Sequence, residues 1–432
     1  MKVLLLSHNP LGGSNNMGKT LRGLLAGVER EALCQLYVYP SLPESDACCA
    51  YYRVTDRDVL RAFGCRRVRG QQVYPVKPGA GPAGGSLRLY RSRRKHTPLV
   101  NLLRDGMWRF SRWYGPELRQ WLEEQNPTCL LVAPGQCKFL YDMALRIARD
   151  RQIPIVTYLC DDFYFVTGRR GLGRRTMQRL LRGRIRELMS RTTRAIAICD
   201  RLSRQYAETF SVPVHTVMTA ADRPLAPEAR TAARPSALIY MGNIRCGRSR
   251  SLVEIGQTLD RMNRRDGTAY RLRIYTGEQD PKVLEPLKAL ASVELCGFVS
   301  GPAFDAVFDA AELMLHTEAF DPESMDVVRY SISTKIADCL AGGVCLVAYG
   351  PPEVASMAYL AEHEAAILVE SPEGLEAGLR AAFTDGSLRR KTAENGLRLA
   401  AQNHDAEKTQ AEVRRILAQA EKRGAAYEEN HT

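Results

Sequence analysis

The chain is expected to be an α/β protein built of two doubly wound, Rossmann-like domains. Three observations lead there. Short apolar runs of strand length alternate with amphipathic helical stretches along most of the 432 residues, the pattern of a parallel sheet with helices on both faces. A proline-rich run carrying Pro224, Pro227 and Pro235 interrupts that alternation near its middle. The charge changes sign at the same place: residues 1–235 carry 39 Lys+Arg against 19 Asp+Glu, or +20, and residues 236–432 carry 22 against 29, or −7.

In the first half, the spacing predicts strands at Lys2 to Ser7, Leu36 to Tyr39, Cys129 to Val132, Ile155 to Leu159, Ala195 to Ile198 and Val214 to Met218. Helical periodicity fits Met17 to Glu29, 138–150, 173–190 and 200–209. Residues 70–98 break the rhythm with a Pro/Gly-rich piece and then a basic cluster from Arg88 to Lys95, and read as a mobile insertion. The expected domains are 1–223, a hinge at 224–235, 236–403, and a C-terminal helix and tail at 404–432. In the second half, strands are expected at Ala237 to Met241, 271–276, 292–296, 312–316, 344–348 and 366–369. Helices fit 250–264, 282–290, 303–310, 354–361, 373–382, 386–402 and 405–422.

The twelve cysteines show no zinc spacing, and most sit in apolar runs, as in a reduced cytosolic protein. Met1 leads straight into a strand, so no signal peptide is expected. No apolar run approaches the roughly 18 residues needed to span a bilayer.

The richest stretch runs from Glu318 to Pro352. Ser333 or Thr334 is a natural N-cap for a short helix that stops at Gly342-Gly343. Hydroxyls and Lys335 at a helix start suit a phosphate. Glu318 and Asp338 flank that site and suit the hydroxyls of an attached ribose or sugar. Upstream, Gly242-Asn243 follows a strand, and Arg248 and Arg250 open the next helix, a pairing suited to a diphosphate or to a solvated charge cluster. Asp161-Asp162 end a strand and either face a substrate or cap the following turn. His8 follows the first strand and could face a cleft. Gly13 to Thr20 matches the P-loop pattern, with Lys19 and Thr20 in the key places and Ile155 to Asp162 as a companion strand. Residues 169–186 carry eight arginines and no acid, with Met177, Leu180, Leu181 and Ile185 between them. That is the pattern of a membrane-surface helix, or of a solvated face. Low aromatic content, 7%, argues against nucleic acid as a partner.

On these residues, the chain resembles the retaining, nucleotide-sugar-dependent glycosyltransferases of the GT-B fold, in the large family of bacterial surface-polysaccharide enzymes. The resemblance runs from the first strand to about residue 403. It rests on the Gly12-Gly13 loop, the Asp161-Asp162 strand end, Tyr240 to Asn243 with Arg248 and Arg250, Gly297-Phe298-Val299, and Glu318-Ala319-Phe320. Asp338 falls where a second glutamate belongs, with about twelve extra residues between the acids, so Glu323 competes with Glu318 as the first.

The resemblance implies two domains facing a central cleft, the donor on the second and the acceptor on the first. It implies a nucleotide-diphosphate sugar as substrate, a glycan or lipid-linked acceptor, retention of configuration, and neither metal nor cofactor. Arg248 and Arg250 would take the departing diphosphate, Glu318 the sugar, and Asp161 the acceptor. Gly12, Gly13, Gly242, Asn243, Gly297, Val299, Ser333, Thr334, Lys335 and Asp338 would bind the donor. The expected location is cytoplasmic, held on the anionic inner face of the cell membrane. Two other readings stay open: a P-loop NTPase or kinase, and a basic membrane- or RNA-binding protein.

Overall fold

The computed structural model describes residues 1–12, 16–62, 67–77, 98–167, 171–230 and 234–429. The chain folds into two compact units, Met1–Thr219 with Ala406–Thr432, and Ala220–Asp405.

The first unit holds eight strands: β1 (Val3–Ser7), β2 (Leu33–Tyr37), β3 (Ala50–Arg53), β4 (Gln71–Val73), β5 (Cys129–Ala133), β6 (Ile155–Leu159), β7 (Thr192–Ala197) and β8 (Val214–Thr216). Their order is β4-β3-β2-β1-β5-β6-β7-β8. All neighbours are parallel except the β3–β4 pair. Strands β1, β2, β5 and β6 are buried along their whole length. Helices on both faces explain why β1 and β5 read as near-continuous apolar runs instead of alternating ones.

Strands β3 and β4 and the helices Asp56–Arg61, Pro98–Phe110 and Pro116–Gln125 were not expected from the sequence. The basic cluster at 88–95 lies outside the described residues.

The second unit has β9 (Ala237–Met241), β10 (Arg271–Tyr275), β11 (Val293–Gly297), β12 (Leu313–Thr317), β13 (Cys345–Tyr349) and β14 (Ile367–Val369). The order is β11-β10-β9-β12-β13-β14, parallel throughout. One core gathers Leu238, Leu252, Ile255, Leu313, Val347, Leu379 and Phe383 from strands and flanking helices. Each sheet therefore reverses its order once, at β1/β5 and at β9/β12. Loops leaving the carboxyl ends there diverge and open a crevice.

The expected boundaries shift in two places. The proline-rich run is tied to the second unit, where the Ala226 and Arg230 amides donate to the carbonyls of Ala341 and Gly343. The last helix, Ala406–Glu429, is not a separate tail but part of the first unit. Its stripe of Val413, Ile416, Leu417 and Ala420 is fully buried, at the spacing of one helix face. Arg414 donates to the Gly27 carbonyl at 2.8 Å, and the Met1 ammonium sits 3.6 Å from Glu421. No described helix is long and apolar enough to cross a membrane.

One buried polar contact in the second core has a pH signature. His316 on β12 lies with Nε2 2.9 Å from the Ser356 hydroxyl. Burial, helped by the charges of Arg248 and Lys335, pulls its imidazole down from 6.5 to about 3. The folded chain thus refuses a proton that the unfolded chain accepts below about 6.5. Stability from this group is complete above that pH and is lost as pH falls toward 3. His316→Gln should flatten that slope by up to about 1.4 kcal/mol per pH unit, read by urea denaturation of parent and variant between pH 7 and 4.5.

Candidate functional site

The helix Arg248–Asp266 begins directly after Gly247, whose φ of +74° favours glycine. A Cβ there would lie 2.5 Å from the Ala319 Cβ and 2.7 Å from the Asp321 Oδ2. Only glycine lets this loop press against the turn after β12. That contact delivers Arg248 to Glu318. Arg248 Nε donates to Glu318 Oε2 at 2.8 Å, and Nη2 donates to Oε1 at 2.7 Å. Glu318 is 2% exposed. Its amide donates to the Tyr349 carbonyl at 2.9 Å, and its carbonyl accepts from Ser251 Oγ at 2.9 Å.

Burial pushes the Glu318 carboxyl above its ordinary value, and the Arg248 charge and its two bonds offset that only in part. Arg248 carries its charge at neutral pH, because a guanidinium does not release its proton in that range. Two of the five guanidinium donors are spent on Glu318.

Lys335 comes from the first turn of the helix Thr334–Ala341. A Cβ on Gly242, where φ is +152°, would sit 3.3 Å from Lys335 Cε and 3.4 Å from Nζ. The ammonium therefore rests against the loop that leaves β9. Tyr240 Oη donates to the Asn243 carbonyl at 2.6 Å, and Asn243 Oδ1 accepts from the Arg245 amide at 2.8 Å. Gly242, Arg248, Glu318 and Lys335 thus meet at the carboxyl ends of β9 and β12, where the sheet order reverses.

Other expected residues stand differently. Arg250 is 75% exposed on its side chain, 3.6 Å from Asp321. Ser333 is the N-cap of its helix but makes no side-chain cap bond, and Thr334 is exposed. Gly297 has φ +77° and is exposed, beside a partly exposed Val299. Asp338 is buried, and its Oδ1 accepts from the Asp222 amide at 2.8 Å, a bond that fastens its helix to the segment entering the second unit. Glu323 is exposed in the first turn of the helix Pro322–Val328, whereas Glu318 is inside the cluster. The sequence reading missed His316, Gly247 as the loop's pivot, and the contact of Lys335 with Gly242.

In the first unit, Gly12 is buried against Glu44, and Gly13 lies outside the described residues. Asp161 lines a small pocket with Pro134, Gly135, Cys160 and Tyr206. Asp162 closes a turn. Its carboxylate accepts from the Tyr164 amide at 2.8 Å, the Phe165 amide at 3.0 Å and the Tyr206 hydroxyl at 3.2 Å. The P-loop match loses residues 13–15 to the undescribed segment, and Lys19 is exposed on the helix Asn16–Leu25.

The arginine-rich helix spans Leu172–Met189, with Leu181, Ile185 and Leu188 buried. Arg182 donates to the Tyr164 and Val166 carbonyls, Arg186 donates to the Tyr164 hydroxyl, and Arg184 pairs with Asp142. Arg174, Arg175 and Arg179 are exposed beside Leu172 and Leu180. The neighbouring helix Pro98–Phe110 adds exposed Leu103 and Phe110. Among the described residues, no three His, Cys, Asp or Glu form a metal-binding group.

No protein-family model matches the chain, and neither does any curated protein. Solved structures do. HepE of Anabaena, in complex with UDP and glucose, matches with a TM-score of 0.61 at 13% identity, over 97% of this chain and 100% of that one. Sucrose-phosphate synthase from Thermosynechococcus elongatus matches at 0.62 and 9% identity, over 97% and 99%. WaaG, a glycosyltransferase involved in lipopolysaccharide biosynthesis, matches at 0.58 and 13% identity, over 95% and 99%. With two α/β sheets, one parallel throughout and one parallel but for a single edge pair, and a likeness that runs the length of the chain, the fold is GT-B.

Proposed function

We propose that this chain is a glycosyltransferase that moves a sugar from a nucleotide-diphosphate sugar to a glycan or lipid-linked acceptor, with retention, in the making of a bacterial surface polysaccharide. One observation carries the reading: a guanidinium locked by a buried carboxylate stands with an ammonium at the switch point of the second sheet. Sugar transfer leaves a diphosphate whose charge must be met as the glycosidic bond breaks. Arg248 and Lys335, near the starts of two helices, supply fixed positive charge for it without a metal ion. Glu318 holds Arg248 in one orientation, so little reorganisation is needed when charge develops. Gly242, Asn243, Gly297, Val299, Ser333 and Thr334 would line the rest of the donor site. The first unit would take the acceptor, with Asp161 in its pocket. The exposed face of Arg174, Arg175, Arg179, Leu172 and Leu180 would rest on the anionic inner surface of the cell membrane, placing the protein in the cytoplasm. The complex of HepE with UDP and glucose makes UDP a rational first probe.

UDP should raise the melting temperature without magnesium. Lys335→Ala should lower transfer by about 10²–10³ and weaken UDP stabilisation, and Lys19→Ala should leave both unchanged. Stabilisation by ATP with magnesium that Lys19→Ala abolishes, with none by UDP, would point to the P-loop reading instead.

Arg248→Ala should behave differently from Lys335→Ala, because it strands a buried carboxylate. We expect a stability loss of about 3–5 kcal/mol by urea denaturation. Arg248→Met combined with Glu318→Leu should recover most of that loss but not UDP binding.

For the membrane surface, changing Arg174, Arg175 and Arg179 to Gln should reduce co-sedimentation with anionic vesicles by about 1 kcal/mol per arginine removed. Binding by the parent should fall as salt rises. Equal binding to neutral and anionic vesicles would remove this part of the proposal. Arg182 is left unchanged, since its bonds to two carbonyls hold the helix in place.

A further inference from the structure

The switch point of the first sheet carries a different chemistry. His8 is the first residue after β1, and Cys137 is the N-cap of the helix Lys138–Arg151 that follows β5. These neighbouring strands are where the order reverses. Arg104, from the helix Pro98–Phe110, joins the two side chains. Its Nη1 donates to Cys137 Sγ at 3.7 Å, and its Nη2 lies 3.4 Å from His8 Nε2.

The guanidinium is itself held. Arg104 Nε lies 3.0 Å from Asp56 Oδ1 and 2.9 Å from Oδ2, and the Trp108 indole donates to Oδ1 at 2.7 Å. His8 is oriented from both sides. Its Nδ1 lies 2.9 Å from Asn9 Oδ1, and its carbonyl accepts from the Tyr39 amide at 2.9 Å. With Nδ1–H donated to Asn9, Nε2 faces the Arg104 guanidinium, and the ring stands close enough to Cys137 to favour its thiolate. The other charges nearby, Asp105 and Lys138, pair with each other at 3.4 Å.

We propose that Cys137 is a peroxide-reactive thiol, held by His8 and Arg104 in the crevice of the first unit. Three positive elements surround the sulfur: the guanidinium, the imidazole once protonated, and the start of a helix. All three stabilise thiolate. Burial opposes this, but His8 and Arg104 outweigh it and bring the thiol below its ordinary value. The contrast within the chain is wide. Burial pushes Cys34 and Cys129 up to about 12 and Cys199 and Cys345 up to about 11, and raises Cys48, Cys160 and Cys339 further. Cys137 and His8 each keep part of their residue surface exposed.

In the reaction, the thiolate attacks one oxygen of hydrogen peroxide. A sulfur–oxygen bond forms, the oxygen–oxygen bond breaks, and hydroxide leaves. The sulfur gives up two electrons. The hydroxide takes the proton from protonated His8 and departs as water, leaving sulfenic acid on Cys137.

The test treats the full folded chain with limiting hydrogen peroxide and dimedone at pH 6.5, then maps adducts by peptide mass. A parallel series uses iodoacetamide. Cys137 should be labelled about tenfold faster or more than the exposed Cys246 and Cys296. Its alkylation rate should fall less steeply between pH 8 and 6.5 than that of a free cysteine peptide measured alongside. His8→Asn should cut the Cys137 rate about tenfold, while the buried Cys34 and Cys129 of the same unit stay unlabelled, which reports that the variant is folded. Faster labelling at Cys246 or Cys296, or a Cys137 rate that falls with pH as steeply as that of the free cysteine peptide, would overturn the proposal. So would a Cys137 rate untouched by His8→Asn. None of these readouts depends on sugar transfer, so the two proposals stand or fall separately.

Discussion

The second unit depends on a charge kept inside it. Glu318 reaches the end of β12 as a carboxylate that is 2% exposed, and an unpaired ion in that position would cost several kcal/mol. The bidentate Arg248 contact offsets that cost only if both groups arrive with the right geometry. Several neighbouring choices follow from this demand. Gly247 lets the loop approach, Ser251 holds the Glu318 carbonyl, and Gly350 leaves room behind the side chain, where a Cβ would come within 3.1 Å of Glu318 Cβ. His316, 3.8 Å from the same carboxylate, is kept neutral by burial and by the charges of Arg248 and Lys335.

Much of the fold was legible because buried parallel strands read as apolar blocks. β6 and β9 match their expected spans, and most of the others differ by one or two residues. The misses have local causes. β2 begins at Leu33, three residues early, because Gln35 interrupts the apolar run. Gln35 is buried and is satisfied by bonds to Ser7, Asn9 and Leu11. β4 is the edge strand and β3 its neighbour, and both are short, with mixed composition. The helix Pro322–Val328 hid in a polar run, although Asp321-Pro322 is a start signal: Asp321 caps the Ser324 amide and proline takes the first position.

At the site, residue types were readable and partners were not. The sequence offers Arg248 and Glu318 as site residues, but nothing local says that they bond to each other across 70 positions. Asp338 has the residue type of a ribose ligand, yet its carboxylate serves the Asp222 amide. Cys137 looks like one more cysteine near an apolar strand. Its neighbours come from the end of β1 and from a helix without clear periodicity, so only the topology brings them together. The two units thus use the same kind of crevice for opposite ends, one gathering cations around a carboxylate and the other around a thiol.

The return of the last helix to the first unit has a consequence for how the chain is made. Residues 220–405 are contiguous, and all of their sheet strands are available before residue 406 is synthesised. The first unit has all eight of its strands much earlier, but it lacks the stripe of Val413, Ile416, Leu417 and Ala420 that completes its core. During translation the usual order is therefore inverted. The later-made unit can close first, while the earlier one waits with an apolar surface uncovered. A pause before residues 406–420 are made would leave that surface exposed while the strands of the second unit are all present.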